Sequence, residues 1–169
     1  NALIPLAGSR NGARGEVFDG GHKIKSVKIV TVSKGKSVEK EAKFSITDTR
    51  MQIFLPDDLK AKGGVVTIKI DFSFISPKEG SDRTGVLDTK NGKIFTIAQW
   101  YPRMCVYDDL RGWNTNPYLG ASEFYLEYGD FDVNITVPAD HVLNATGELI
   151  NRNEVFTPEQ VKRYELAQI

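Results

Sequence analysis

The stretch "VVTIKIDFSF", Val65 to Phe74, decides the fold. Val66, Ile68, Ile70, Phe72 and Phe74 share one parity, and Thr67, Lys69, Asp71 and Ser73 share the other. Successive side chains of a strand point to opposite faces, so this period of two predicts a strand with one apolar and one wet face.

Working outward, the same signal recurs in short pieces. Upstream, "HKIKSVKIVTV" (22–32) is rich in β-branched residues, and its alternation slips between Ile24 and Val27, which predicts a bulge. Asp19-Gly20-Gly21 before it and Lys34-Gly35-Lys36 after it are turn signals. "KFSIT" (43–47) and "MQIFLP" (51–56) read as two more strands, the second stopped by Pro56. Downstream, the polar run "SPKEGSDRTGVLDT" leads to Asn91-Gly92, a hairpin signal that opens into "KIFTIAQ". "SEFYLEYGDFDVNITVP" (122–138) then resumes alternation, with Phe131, Val133, Ile135 and Val137 against Asp132, Asn134 and Thr136, and "HVLNATGELI" (141–150) predicts a last strand. A helix signal comes only at Thr157-Pro158-Glu159-Gln160, a capping box with Pro at the first helical position.

Many short strands separated by turns, with almost no helix, predict an all-β chain folded as an antiparallel β-sandwich. Residues 1–16 read as a flexible arm, 17–150 as the sandwich domain, and 151–169 as a linker and the start of a helix. No internal repeat is visible.

Composition narrows the function classes. Among 169 residues, 22 Lys and Arg balance 22 Asp and Glu, so no net field attracts nucleic acid or an acidic membrane surface. No apolar run reaches the roughly 18 residues needed to span a bilayer, and the first residues lack the apolar core of a signal peptide. The lone Cys105 excludes an intramolecular disulfide and a cysteine-rich metal site, and between Met104 and Val106 it reads as a small buried hydrophobe.

The enzyme signatures fail one by one. His22 and His141 stand on separate strand ends and outside any H-E-x-x-H, where two histidines one helical turn apart share a zinc. There is no G-x-S-x-G, no P-loop and no G-x-G-x-x-G. Asp130 and Asp132 share a strand face and could meet a hard cation such as calcium, but no Asp-x-Asp-x-Asp-Gly loop surrounds them, and a solvated face is the plainer reading. Asp108-Asp109 reads as an ordinary strand exit, and Asn134 and Asn144 open glycosylation sequons that arise often by chance. No catalytic residue and no metal ligand is assigned.

"IAQWYPRMCVYDDLRGW" (97–113) is different: it holds both tryptophans, the only cysteine and two of the six tyrosines. Gln99 and Arg103 lie among aromatics, where each must reach water or find a partner. Such a run reads as a surface that meets another domain or a ligand.

Three stretches, "DTRMQIFLPDDL", "GKIFTIAQWYPRMCVYDDLRGWNTNPYLG" and "EFYLEYGDFDVNITVPADHVLNATGEL", resemble the amino-terminal domain of the zinc aminopeptidases related to aminopeptidase N and leukotriene hydrolase. The resemblance is nearest to the large enzymes of this family in Bacteroidetes-type bacteria and covers residues 17–150. It implies a saddle-shaped β-sandwich, here expected to lack its first strands, that covers a separate catalytic domain of the same chain. In that family the zinc ligands and the G-x-M-E-N motif lie downstream of this domain, so the implied zinc belongs to the parent catalytic domain and no cofactor to this chain. The resemblance also implies one residue that contacts the substrate's free amine, a Gln or Glu shortly before an Arg. Gln99, four residues before Arg103, takes that role; the usual spacing falls on Ala98, whose side chain has no acceptor. Trp100 and Tyr101 would support the substrate wall, with Arg103 and Trp113 structural or at the interface. The implied partners are the catalytic domain and a peptide N-terminus, and a bared sheet edge implies self-association; the expected location is exported, periplasmic or extracellular in a bacterium, with the cytoplasm as the alternative that a single cysteine leaves open. The competing reading is a stand-alone β-sandwich that binds carbohydrate or protein on Trp100, Tyr101 and Trp113. A downstream H-E-x-x-H separates the two.

Overall fold

A computed structural model describes residues 21–33, 35–78, 83–117 and 123–167. The described residues form nine strands and two short helices, so the all-β class holds. In chain order the strands are β1 (Lys23–Ser33), β2 (Lys36–Glu41), β3 (Lys43–Thr47), β4 (Arg50–Phe54), β5 (Thr67–Ser73), β6 (Gly85–Thr89), β7 (Gly92–Thr96), β8 (Tyr107–Asp108) and β9 (Gly112–Trp113). They pair as one three-stranded sheet, β2-β1-β5, and three two-stranded sheets, β3-β4, β6-β7 and β8-β9, all antiparallel.

The three-stranded sheet follows from parity. Val27 pairs with Ile70 and Ile29 with Ile68, which puts four apolar residues on one face. Val27 and Ile29 are buried there, and with Val106 they are the buried apolar residues among those described. On the other face Lys28 lies directly opposite Lys69, a like-charge pair that is unfavourable alone. Glu39 resolves it from β2: its carboxylate accepts from Lys28 Nζ at 3.2 Å and from Lys69 Nζ at 2.9 Å. The two ammonium groups, with Lys69 foremost, hold the Glu39 carboxyl below its ordinary value.

The expected bulge is present, with the β1–β5 register shifting between Ile24 and Ser26. Lys25, the bulged residue, reaches Asp71 at 3.6 Å. The β1–β2 turn runs through Gly35 at φ 74°, and the β6–β7 hairpin pairs Thr89 with Gly92 at φ 120°. The β6–β7 turn is therefore centred on Lys90-Asn91, one residue before the Asn-Gly step that marks it in the sequence.

The chain divides into two compact units, one ending at Tyr128 and the other running from Gly129 to Ile169. Here the structure corrects the sequence reading. Neither "SEFYLEYGDFDVNITVP" nor "HVLNATGELI" forms a strand; their described residues supply one isolated bridge, Leu126 to Cys105. Alternation supplies two faces, but a strand also needs a neighbour in register for its backbone N–H and C=O groups. Residues 129–137 have no such ladder among the described residues, and Phe131, Val133, Ile135 and Val137 remain exposed. The second unit is ordered instead around α1 (Arg152–Val155), which the sequence did not signal, and α2 (Pro158–Leu166). The α2 capping box is complete: Gln160 N donates to Thr157 Oγ1 at 3.3 Å and Thr157 N donates to Gln160 Oε1 at 2.8 Å. Among the described residues, no helix is long and apolar enough to cross a membrane. The arm at 1–16 lies outside the described residues.

Candidate functional site

Beyond Thr96, where β7 ends, the chain enters the aromatic run, and three anchors fix its path. The first is Thr84, just before β6: its Oγ1 donates to the carbonyl of Ala98 at 3.2 Å and accepts from the amide of Ala98 at 3.1 Å. One hydroxyl thus satisfies both backbone groups of a residue that has left the ladder. The second is His22, whose Nε2 lies 2.6 Å from the carbonyl oxygen of Trp100. The third is Arg103, whose Nη2 donates to the carbonyl of Glu127 at 2.7 Å.

Gln99 stands between the first two anchors with φ at 52°, in the left-handed region that a non-glycine residue adopts at a cost of about 1–2 kcal/mol. Its side chain is exposed and makes no hydrogen bond to another described residue. Strained backbone clusters at functional sites, and unlike Asp48 and Lys62, which adopt the same region in turns, Gln99 does so between two anchored residues.

The aromatic residues form a chain of rings. Trp100 lies 6.4 Å from Phe72 at 35°, Tyr101 meets Trp100 edge-on at 5.0 Å and 75°, and His22 packs against Phe72 at 5.0 Å and Phe74 at 5.7 Å. Trp113 belongs to a separate pair, edge-on to Tyr107 at 5.1 Å across β8 and β9. Asp108 closes that hairpin, its Oδ1 accepting from the amides of Leu110 at 3.0 Å and Arg111 at 2.7 Å. Asp108 is thereby accounted for by turn chemistry, and Asp109 is exposed beside it.

The remaining candidates stay apart. His141 Nδ1 pairs with Asp140 Oδ1 at 2.8 Å, and this contact draws the Asp140 carboxyl below its ordinary value. Asp132 accepts from Asn134 Nδ2 at 3.5 Å, Asp130 is exposed, and Cys105 is half-buried. No group of three His, Cys, Asp or Glu side chains could hold a metal ion among the described residues. Thr84, His22 and Phe72 were not singled out as parts of the site by sequence reasoning. Their contacts span 14 residues for Thr84–Ala98 and 78 for His22–Trp100, so no local pattern marks them.

Comparison of the chain with known protein families, with curated proteins and with solved structures finds no match.

Proposed function

We propose that this chain is the amino-terminal, non-catalytic domain of a zinc aminopeptidase related to aminopeptidase N and leukotriene hydrolase, and that Gln99 meets the substrate's free amine. The observation that carries this reading is the exposed side-chain amide of Gln99, which makes no hydrogen bond to another described residue and stands on backbone held by Thr84 and His22. Its Oε1 can accept from a substrate ammonium, a charge-assisted hydrogen bond that contributes about 1.5–3 kcal/mol. Trp100 and Tyr101 form the wall behind it. In this reading the antiparallel sheets belong to a β-sandwich that closes over a catalytic domain elsewhere in the protein.

The described residues do not fit a zinc ion, since His22 Nε2 faces a carbonyl and His141 is bonded to Asp140. In this reading the metal, which in such enzymes activates water as a Lewis acid, belongs to the other domain. A carbohydrate platform has less support. It needs ring faces side by side, whereas Trp100 and Tyr101 meet at 75° and Trp113 packs on Tyr107.

The test is made in the full-length protein. A downstream H-E-x-x-H is required, and Gln99→Ala should lower kcat/KM on free-amine aminoacyl substrates by roughly tenfold to a hundredfold. Unchanged kcat/KM in that variant, or a parent gene without the zinc motif, overturns the reading.

A further inference from the structure

We infer that His22 is a positioning residue for the Gln99 loop, acting through the carbonyl of Trp100. This deepens the reading of Gln99 as a substrate contact and rests on it for the purpose of the loop; the anchor itself is testable without it.

The argument begins with the bulge in β1. A one-residue bulge reverses side-chain parity, so residues before it change face relative to those after it. Val27 and Ile29 face the apolar side, and continued alternation would bring Lys25 and Lys23 there. The shift between Ile24 and Ser26 instead sets Ile24 opposite Phe72. His22 has the parity of Ile24 and joins the same face, where its ring meets Phe72 edge-on at 5.0 Å and Phe74 at 5.7 Å. Without the bulge, His22 would share the face of Lys28 and Lys69.

The two phenyl rings fix the imidazole plane, and Nε2 then meets Trp100 O at 2.6 Å. A carbonyl oxygen only accepts, so Nε2 carries the proton, in the neutral Nε2–H tautomer or in the imidazolium. Either form keeps the bond. Trp100 follows Gln99 directly, and with Thr84 holding Ala98 the two bonds enclose the one left-handed residue of the loop. Removing the His22 bond frees the C-terminal side of Gln99, which can relax from φ 52° and redirect its amide.

The experiment compares His22→Phe, which keeps an aromatic ring against Phe72 and Phe74 but has no donor, with His22→Gln, whose amide nitrogen can stand where Nε2 stood. Hydrogen exchange is read at two amides: Ala98, bonded to Thr84 Oγ1, reports on the loop, and Ala42, bonded to Val27 O, reports on the sheet. His22→Phe should speed exchange at Ala98 about threefold to tenfold, the effect of one neutral hydrogen bond, and leave Ala42 unchanged. His22→Gln should restore Ala98. Equal acceleration at both amides, no acceleration at either, or failure of His22→Gln to restore Ala98 overturns the inference. In the wild-type chain, a neutral His22 with its proton on Nδ1 in the nitrogen NMR spectrum overturns it as well.

In the full-length protein, His22→Phe should raise KM for free-amine substrates more than it lowers kcat, and His22→Gln should recover it. Normal kinetics in Gln99→Ala would sink the substrate reading and leave the exchange result standing. Faster Ala98 exchange with unaltered KM would sink the positioning role while Gln99 kept its own.

Discussion

The hydroxyl of Thr84 bonds both backbone groups of Ala98, accepting from its amide at 3.1 Å and donating to its carbonyl at 3.2 Å. β6 and β7 have already separated at this point, because their last pair is Gly85 with Thr96. A side chain therefore continues the work of the ladder for one more residue, and the strained Gln99 comes immediately after it.

Thr84→Val should reveal how much that contact contributes. Valine keeps the shape but has no hydroxyl, so both polar groups of the half-buried Ala98 lose their partner. The expected loss is about 1–3 kcal/mol in urea unfolding, the range for polar groups left unsatisfied. Thr84→Ser should recover most of it. A Thr84→Val chain as stable as the wild type would mean that water or a shifted backbone serves Ala98 equally well.

Acid should loosen the wet face of the three-stranded sheet through Glu39. Lys69 and Lys28 depress its folded value below the ordinary 4.5. A depressed carboxyl contributes stability that is present above the unfolded value and is lost as pH falls through the folded one. The expected signature is a stability decrease that begins near pH 4.5 and continues below it, is reduced in Glu39→Gln, and weakens with added salt because the pairs are exposed. Identical acid limbs for wild type and Glu39→Gln would remove Glu39 from the account.

The parts legible in the sequence are those encoded locally. Parity located β5 and the β1 bulge, and the spacing of Thr157, Pro158 and Gln160 located the helix start. The illegible parts depend on partners far along the chain. Phe131 to Val137 alternate as well as β5 does, yet alternation does not specify a neighbouring strand, and no strand ladder among the described residues includes them. The same holds for the site. Gln99, Trp100 and Arg103 stand out by composition, whereas His22 and Thr84 acquire their roles only when β1 and β6 are placed beside the loop. Nothing in a glutamine signals a left-handed backbone.

The sheet edges lead to an association experiment. Among the described residues β2 and β5 are the outer strands, and β2 carries Lys36, Glu39, Lys40 and Glu41, charges that discourage pairing. β5 is self-complementary. Antiparallel pairing of two copies about Ile70 sets Ile68 against Phe72 and Lys69 against Asp71, twice by symmetry. The chain should therefore dimerise with rising concentration in sedimentation velocity, and Asp71→Lys should suppress this by placing like charges opposite each other. Concentration-independent monomers of the wild-type chain would refute the pairing.

Gln99 allows the sharpest separation of scaffold from function. Its φ of 52° imposes the left-handed penalty of about 1–2 kcal/mol, which glycine avoids. Glycine also has a freer unfolded state, a cost of roughly 0.5–1 kcal/mol that offsets most of the gain. Gln99→Gly should thus change stability little, and so should Gln99→Ala, because the exposed amide has no partner to lose among the described residues. Gln99→Val should be the least stable of the three, by about 1 kcal/mol or more, since a β-branched side chain tolerates this backbone worst. Gln99→Asn should also fold normally, because asparagine accepts the left-handed region, but its acceptor is one methylene short of the original position. Under the proposed function the Gly, Ala and Asn variants all lose kcat/KM on free-amine substrates in the full-length protein while unfolding at nearly the wild-type urea midpoint. Should Gln99→Ala and Gln99→Gly instead each cost more than about 2 kcal/mol, on the scale of a large mutational effect, the amide would be part of the scaffold and its exposure would have no bearing on substrate.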